Sequence, residues 1–271
     1  MHDKRAWPRR GALRALILFG LAAASPATAA TRGYTITSFD SIRIDAPVNI
    51  ILATGRGPSA RAEGDQAVLD RLHVDVSGRQ LTIGMDRLRP GEKSGGAATL
   101  RLSTGMIDRV MLTGGGSVQI DRMKGLRGQI VLGGNGDITV SDVQLDRLDL
   151  LLAGGGRATL AGRAGVANIH VNGPGEVAAQ GLRARQAEVG NDGPGSVALT
   201  GDVAVKIVAS GSGDVQIDGK AACTIDAVFA KKSRARWPLA KGLNPTYTAP
   251  ASVTSKADTP WTDDMSPSLK A

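Results

Sequence analysis

Aliphatic residues recur along this chain in a fixed relation to six Gly-x-Gly pairs: Gly114/Gly116, Gly134/Gly136, Gly154/Gly156, Gly173/Gly175, Gly193/Gly195 and Gly211/Gly213. Four residues before each first glycine stand Val110, Ile130, Leu150, Ile169, Val189 and Ile207; two before it, Leu112, Leu132, Leu152, Val171, Asn191 and Ala209. Four after it come Val118, Ile138, Ala158, Val177, Val197 and Val215; six after, Ile120, Val140, Leu160, Ala179, Leu199 and Ile217. All of these offsets are even, and the positions between them are mostly polar or small. Each flank therefore has the period-two alternation of a strand with one buried face. The spacing predicts two short strands per repeat with the glycine pair as the corner between them. Glycine suits a corner because the corner needs backbone angles that other residues disfavour and because no side chain fits against the adjoining coil.

Successive first glycines are 20, 20, 19, 20 and 18 residues apart. A fixed period near 20 marks a solenoid, each repeat being one coil stacked on the last. Stacked coils lie about 4.8 Å apart, so each column becomes a row of like aliphatics in one continuous core. The fold expected is all-β: a single-stranded right-handed parallel β-helix with coils of about 20 residues. The hand follows the general preference for right-handed crossovers between parallel strands. A leucine-rich repeat would need its Leu-x-x-Leu-x-Leu spacing, and a propeller a period about twice as long.

Upstream, Ile42 and Ile44, Val48 to Leu52, Leu72 to Val76 and Leu81 to Ile83 have strand character without the glycine corner. Residues 65–72 read as a helical turn or loop, and 87–96 as a polar excursion. One β-helix domain is expected over residues 33–228, its regular coils over about 100–228, with irregular terminal coils acting as caps. Residues 1–29 read as a secretion signal: a basic start through Lys4, Arg5, Arg9, Arg10 and Arg14, an apolar run from Ala15 to Ala24, and the small-x-small end Ala27-Thr28-Ala29. The apolar run is short for a membrane span, so no transmembrane segment is expected after cleavage. Beyond Phe229 the glycine period stops, and residues 231–271 read as a disordered or capping tail.

Charge changes the picture only after it is divided. Residues 1–29 carry five basic side chains and one Asp, and residues 231–271 carry seven and three, so each segment contributes +4 to the total of +8. The 21 basic and 21 acidic side chains between them cancel, which removes the argument for nucleic acid. Cys223 is the sole cysteine. In an exported protein it forms no internal disulfide, and it reads as a small buried residue beside the last coil. Gly133-Gly134-Asn135-Gly136-Asp137 approaches a calcium nonapeptide, but its Asp comes one residue early and the period is wrong. No Gly-x-Gly leads into a helical pattern, so a dinucleotide site is unsupported. His170 falls at an outward offset. No catalytic residue, metal or cofactor is expected.

The run Phe39-Asp40-Ser41-Ile42-Arg43-Ile44, then Val48-Asn49-Ile50, then the recurring Gly-x-Gly-(Asp/Ser)-Val-x-Ile, resembles the head GIN domain family over about residues 38–228. That resemblance implies an exported bacterial β-helix, labelled an auto-transporter adhesin, with no catalytic residues to carry over. No outer-membrane barrel segment stands in this sequence, so self-transport is not implied. Two classes of function remain open. One is a non-enzymatic envelope module for adhesion, binding or structure, periplasmic, outer-membrane associated or extracellular, with an envelope protein or a glycan as partner. The other is a carbohydrate-active lyase or hydrolase, which would need paired carboxylates in a cleft. Only Tyr34, Phe39 and Phe229 supply aromatic rings between residues 30 and 230. The candidate binding residues are Arg157, Arg183 and Arg185, in the arginine-rich part of the coils.

Overall fold

A computed structural model describes residues 30–91 and 95–227. The expected signal sequence and tail lie outside the described residues. In chain order the elements are β1 (Ala30–Tyr34), β2 (Ser41–Ile44), β3 (Asn49–Thr54), β4 (Ser59–Gly64), α1 (Gln66–Arg71), β5 (Leu72–Ser77), β6 (Gln80–Met85), β7 (Thr99–Thr104) and β8 (Arg109–Leu112). The regular coils follow as β9 (Ser117–Leu132), β10 (Asp137–Leu152), β11 (Arg157–Val171), β12 (Glu176–Asn191) and β13 (Ser196–Ala209), then β14 (Val215–Gly219) and β15 (Ala222–Ala227).

These coils stack in parallel, Ile138 beside Val118 and Ala158, Leu150 beside Ile130 and Ile169. The four aliphatic columns form the core, where all but Asn191 and Ala209 are buried hydrophobics. The fold is the expected β-solenoid. It differs in one respect: each coil is a run of extended backbone from corner to corner, with a third inward-facing set between the two flanks. Met123, Val143, Leu145, Ala164, Leu182 and Ala184 make up that set, all buried. Its side chains are unequal in size and its spacing shifts where a coil is shortened, which hides it from a fixed-offset reading. The register slips between Val140 and Val143, where β11 is a residue shorter than β10, and again between Ala179 and Arg183.

The corner glycines are explained by close approach. A Cβ on Gly134 would stand 2.2 Å from Gly114 O, one on Gly154 1.9 Å from Gly134 O, and one on Gly156 1.9 Å from Gly136 O. No corner glycine has a positive φ. Of the two reasons for glycine, contact with the preceding coil is therefore the operative one. The turn between β2 and β3 corroborates this. Ala46 and Val48 stand there in place of the glycine pair, under Gly114 and Gly116. On its other side this turn meets the end of the connection between β6 and β7, through Asn49 N–H to Ala98 O at 2.9 Å.

Spatial order departs from chain order at the amino end. The β2–β3 coil lies between the strands β6 and β7 on one side and β8 and β9 on the other. Antiparallel strands then close that end: β4 on β7, β1 on β4 and β5 on β6. Helix α1 adds Val68 and Leu69 to the core. Such caps cover edges that would otherwise pair with other chains. At the far end β14 and β15 both pair with β13 and are the last described strands.

Asn191 is a buried polar residue in an otherwise aliphatic column. Its Nδ2 donates to Gly195 O at 2.9 Å, tying the coil to the next corner, while Oδ1 has no partner among the described residues.

Candidate functional site

The outward positions form rows that run from coil to coil, and the candidate arginines fall on two different sides of the coils. Arg157 opens β11, in register with Asp137 and Glu176. It donates to Glu176 Oε2 at 2.8 Å. With Asn135, Pro174 and the corner glycines 155, 156 and 175 these three residues line a shallow groove of about 370 Å3. Glu176 thereby neutralises Arg157, while Asp137 has no ion-pair partner among the described residues.

Arg183 and Arg185 lie on the third side of β12. Arg183 stands in register with Arg163 of β11, and on a separate row Arg147 of β10 stands in register with Arg127 of β9. Like charges directly opposite one another on neighbouring strands repel. Compensation is partial: Arg183 Nε is 4.0 Å from Asp202. Arg185 is exposed and has no ion-pair partner among the described residues. The structure thus brings Arg183 and Arg185 together on one side and places Arg157 on another.

Asp40 and Asp108 are carboxylates at the starts of the neighbouring strands β2 and β8, close enough for the charge of one to act on the other. Asp108 N–H donates to Asp40 O at 2.8 Å, and Asp40 Oδ2 lies 2.5 Å from Arg79 Nε. Burial, and secondarily the charge of Asp40, raise the Asp108 carboxyl above its ordinary range, while Arg79 pulls it down. Neither carboxylate lines either of the two clefts described here. They read as consecutive members of the row Arg79–Asp40–Asp108 that locks the β2–β3 coil between its neighbours. Asp45 plays a similar part at the next corner. The Arg43 guanidinium, at 2.9 Å, holds its carboxyl below the usual range, and the Thr113 hydroxyl also donates to it.

The remaining reactive types are not assembled into a site. His170 is exposed and overlies Gly190, and His73 Nε2 lies 2.9 Å from Asp86 with both side chains more than half exposed. Cys223 is half-buried in β15, and burial pushes its thiol up, which disfavours the reactive thiolate. A group of three or more His, Cys, Asp or Glu placed to hold a metal does not occur among the described residues.

The larger cleft, about 760 Å3, lies at the amino-terminal cap among β1, β3, β4 and β7. Its arginines, Arg56, Arg61 and Arg101, were not singled out by the sequence. Their juxtaposition depends on antiparallel pairing between segments about 40 residues apart, with no repeat to announce it.

Comparison with known proteins agrees with this architecture. The sequence profile of the family described as "Putative auto-transporter adhesin, head GIN domain" matches residues 38–221. No curated protein matches the chain. Among solved structures, one described as a putative adhesin from Bacteroides fragilis is 20% identical with a TM-score of 0.68, covering 74% of this chain and 95% of its own. One described as a putative lipid binding protein from Parabacteroides distasonis is 21% identical with a TM-score of 0.60, covering 74% and 94%. A putative adhesin from Parabacteroides merdae is 16% identical with a TM-score of 0.53, covering 75% and 94%. At these identities the likeness is one of fold.

Proposed function

This chain belongs to the head GIN domain family, and on that premise we propose that it is an exported, non-enzymatic binding module of the bacterial envelope. The observation that carries this reading is the third side of the coils. Arg127 faces Arg147, and Arg163 faces Arg183, with Arg185 beside them on the same rigid sheet. Two pairs of incompletely neutralised guanidinium groups on separate rows of one sheet, held by backbone pairing, suit a broad acidic partner better than a small substrate. That partner is an acidic glycan or an acidic protein of the envelope. The adhesin description of the family and of two of the structural neighbours supports the same class. No helix among the described residues is long and apolar enough to cross a membrane.

The reversal Arg183→Glu with Arg185→Glu is expected to weaken retention of the purified protein on the envelope fraction of its own cells by about 10-fold or more, since each charge-assisted hydrogen bond contributes about 1.5–3 kcal/mol. Raising salt from 0.05 to 0.5 M is expected to act in the same direction, because exposed charges are screened. Sedimentation with that fraction reads both effects. Retention that ignores both changes excludes this side as the binding surface. The enzyme reading is tested separately, with uronate polymers, xylans and glucans in a reducing-end assay. Turnover above background that Asp108→Asn abolishes would replace the binding module with a hydrolase or lyase.

A further inference from the structure

The cleft at the amino-terminal cap combines two features that folding alone does not explain. The first is a like-charge pair. Arg61 of β4 and Arg101 of β7 stand directly opposite in the antiparallel register. Both point outward, because Ala60, Ala62, Leu100 and Leu102 take the inward positions. Opposed like charges at such a pair are destabilising. Glu63 supplies one countercharge, its Oε2 3.6 Å from Arg101 Nε, which is too long for a good hydrogen bond. Arg56 adds a third cation to the lining, and neither it nor Arg61 has an ion-pair partner among the described residues. Gly33, in register with Arg61 on the other side, leaves the space beside it open.

The second feature is an apolar wall on what should be a solvated face. Ile51 is the outward neighbour of Arg101 in register, and the same row continues through Gln119, Thr139 and Thr159. Ala53 follows at the next outward position of β3. Ile36 and Pro58 border the same cleft. Cations and aliphatics therefore line adjoining parts of one concavity. Its volume falls within the about 300–1,000 Å3 of small-molecule sites.

We propose that this cleft binds a single amphipathic anion, a phosphate or carboxylate head on an aliphatic body. Arg61 and Arg101 hold the head through their paired guanidinium forks, Arg56 adds charge, and the aliphatic part lies along Ile51, Ala53 and Ile36. The charge pattern favours one molecule over a bilayer face: a membrane-binding patch takes a cluster of about four to eight basic residues, and here there are three in a concavity. Anion binding also relieves the Arg61–Arg101 repulsion, so the site is destabilised when empty and neutralised when filled.

Isothermal titration of the purified full chain tests this with dodecyl phosphate below its micellar concentration, inorganic phosphate, and an uncharged dodecyl ether detergent, also below micellar concentration. Dodecyl phosphate is expected to bind at least about 10-fold tighter than either of the others. The double variant Arg61→Gln/Arg101→Gln is expected to lose at least about 10-fold in that affinity, as removal of charged hydrogen-bond donors implies. Its Tm is expected to stay level or rise, because repulsion is removed. Ile51→Gln is expected to weaken dodecyl phosphate and leave inorganic phosphate unchanged. If the double variant fails to fold, Arg61→Lys, which keeps the charge and removes the fork, is expected to weaken dodecyl phosphate several-fold. Binding that is indifferent to the arginine changes, or no tighter than that of inorganic phosphate or the ether, overturns the proposal. So does recruitment to phosphatidylglycerol vesicles without binding of dodecyl phosphate in solution, which would make the patch a membrane-docking surface.

Discussion

Gly116→Ala is expected to unfold the protein or leave it aggregated, whereas Gly115→Ala, one residue earlier, leaves its Tm within about a degree. The difference lies in what each new methyl group meets. On Gly116 it would stand 2.0 Å from Val48 O and 2.7 Å from Val48 N, both backbone atoms of the adjoining coil. On Gly115 it meets nothing within 4 Å. Neither residue has a positive φ, so conformational strain does not separate them. Backbone atoms in a sheet cannot move aside as the tip of a side chain can. Relieving the overlap requires the coils to separate, which breaks Ser117 N–H to Val48 O at 3.2 Å and opens the core beneath. Overpacking a core typically costs about 1–3 kcal/mol where side chains can shift, and here they cannot, so the loss is expected at or above the top of that range. Thermal melts by circular dichroism read both variants.

That contrast also shows how far the sequence carried. The glycine period revealed the coils, because a corner that admits no side chain is rewritten at each turn of the stack. The four aliphatic columns revealed the register of the regular coils for the same reason. The sequence alone did not decide which property of glycine mattered, since φ and close approach leave the same letter. The third side was hidden because its inward positions vary from Leu182 to Ala164 and the coils are unequal in length. The cap was less legible still. Nothing local to Phe39–Leu52 says that this coil is sandwiched between β6–β7 and β8–β9, an order set by long-range pairing. The candidate arginines Arg157, Arg183 and Arg185 are all exposed. That Arg157 belongs to a different side follows from the bends within each coil, which carry no sequence mark. Arg61 and Arg101 escaped notice because each is unremarkable until antiparallel pairing sets it opposite the other.

A charge placed in a core column should be as damaging as a methyl group at a corner. Val177→Asp is expected to abolish cooperative folding. Val177 is fully buried, between Ala158 and Val197 on the neighbouring coils. An ionised carboxylate there has only aliphatic neighbours along its column, and an unpaired buried polar group or charge costs several kcal/mol. That is comparable to the whole stability of a domain, about 5–15 kcal/mol. The fitting control is Arg157→Gln. Arg157 is exposed, and its ion pair with Glu176 is of the surface kind that contributes at most about 1 kcal/mol. Urea denaturation should show a cooperative transition near wild type for Arg157→Gln and none for Val177→Asp. Equal midpoints for the two would mean that Val177 does not face the core.

The arginine pairs of the regular coils and their glycine corners rest on one claim, that residues about 20 apart in sequence are neighbours in the stack. Oxidative cross-linking of paired cysteines measures this directly, in a chain carrying Cys223→Ala to remove the native thiol. Thr139 and Thr159 are register partners on β10 and β11, so their Cα atoms stand at about the 4.8 Å spacing of adjacent strands, within reach of a disulfide. Thr139 and Ala178 are two coils apart, about 9.6 Å, and beyond it. The expected result is rapid, near-complete disulfide formation for Thr139→Cys/Thr159→Cys and none for Thr139→Cys/Ala178→Cys under the same mild oxidant. A first pair that stays reduced, or that oxidises no faster than the second, would contradict the stacked-coil register.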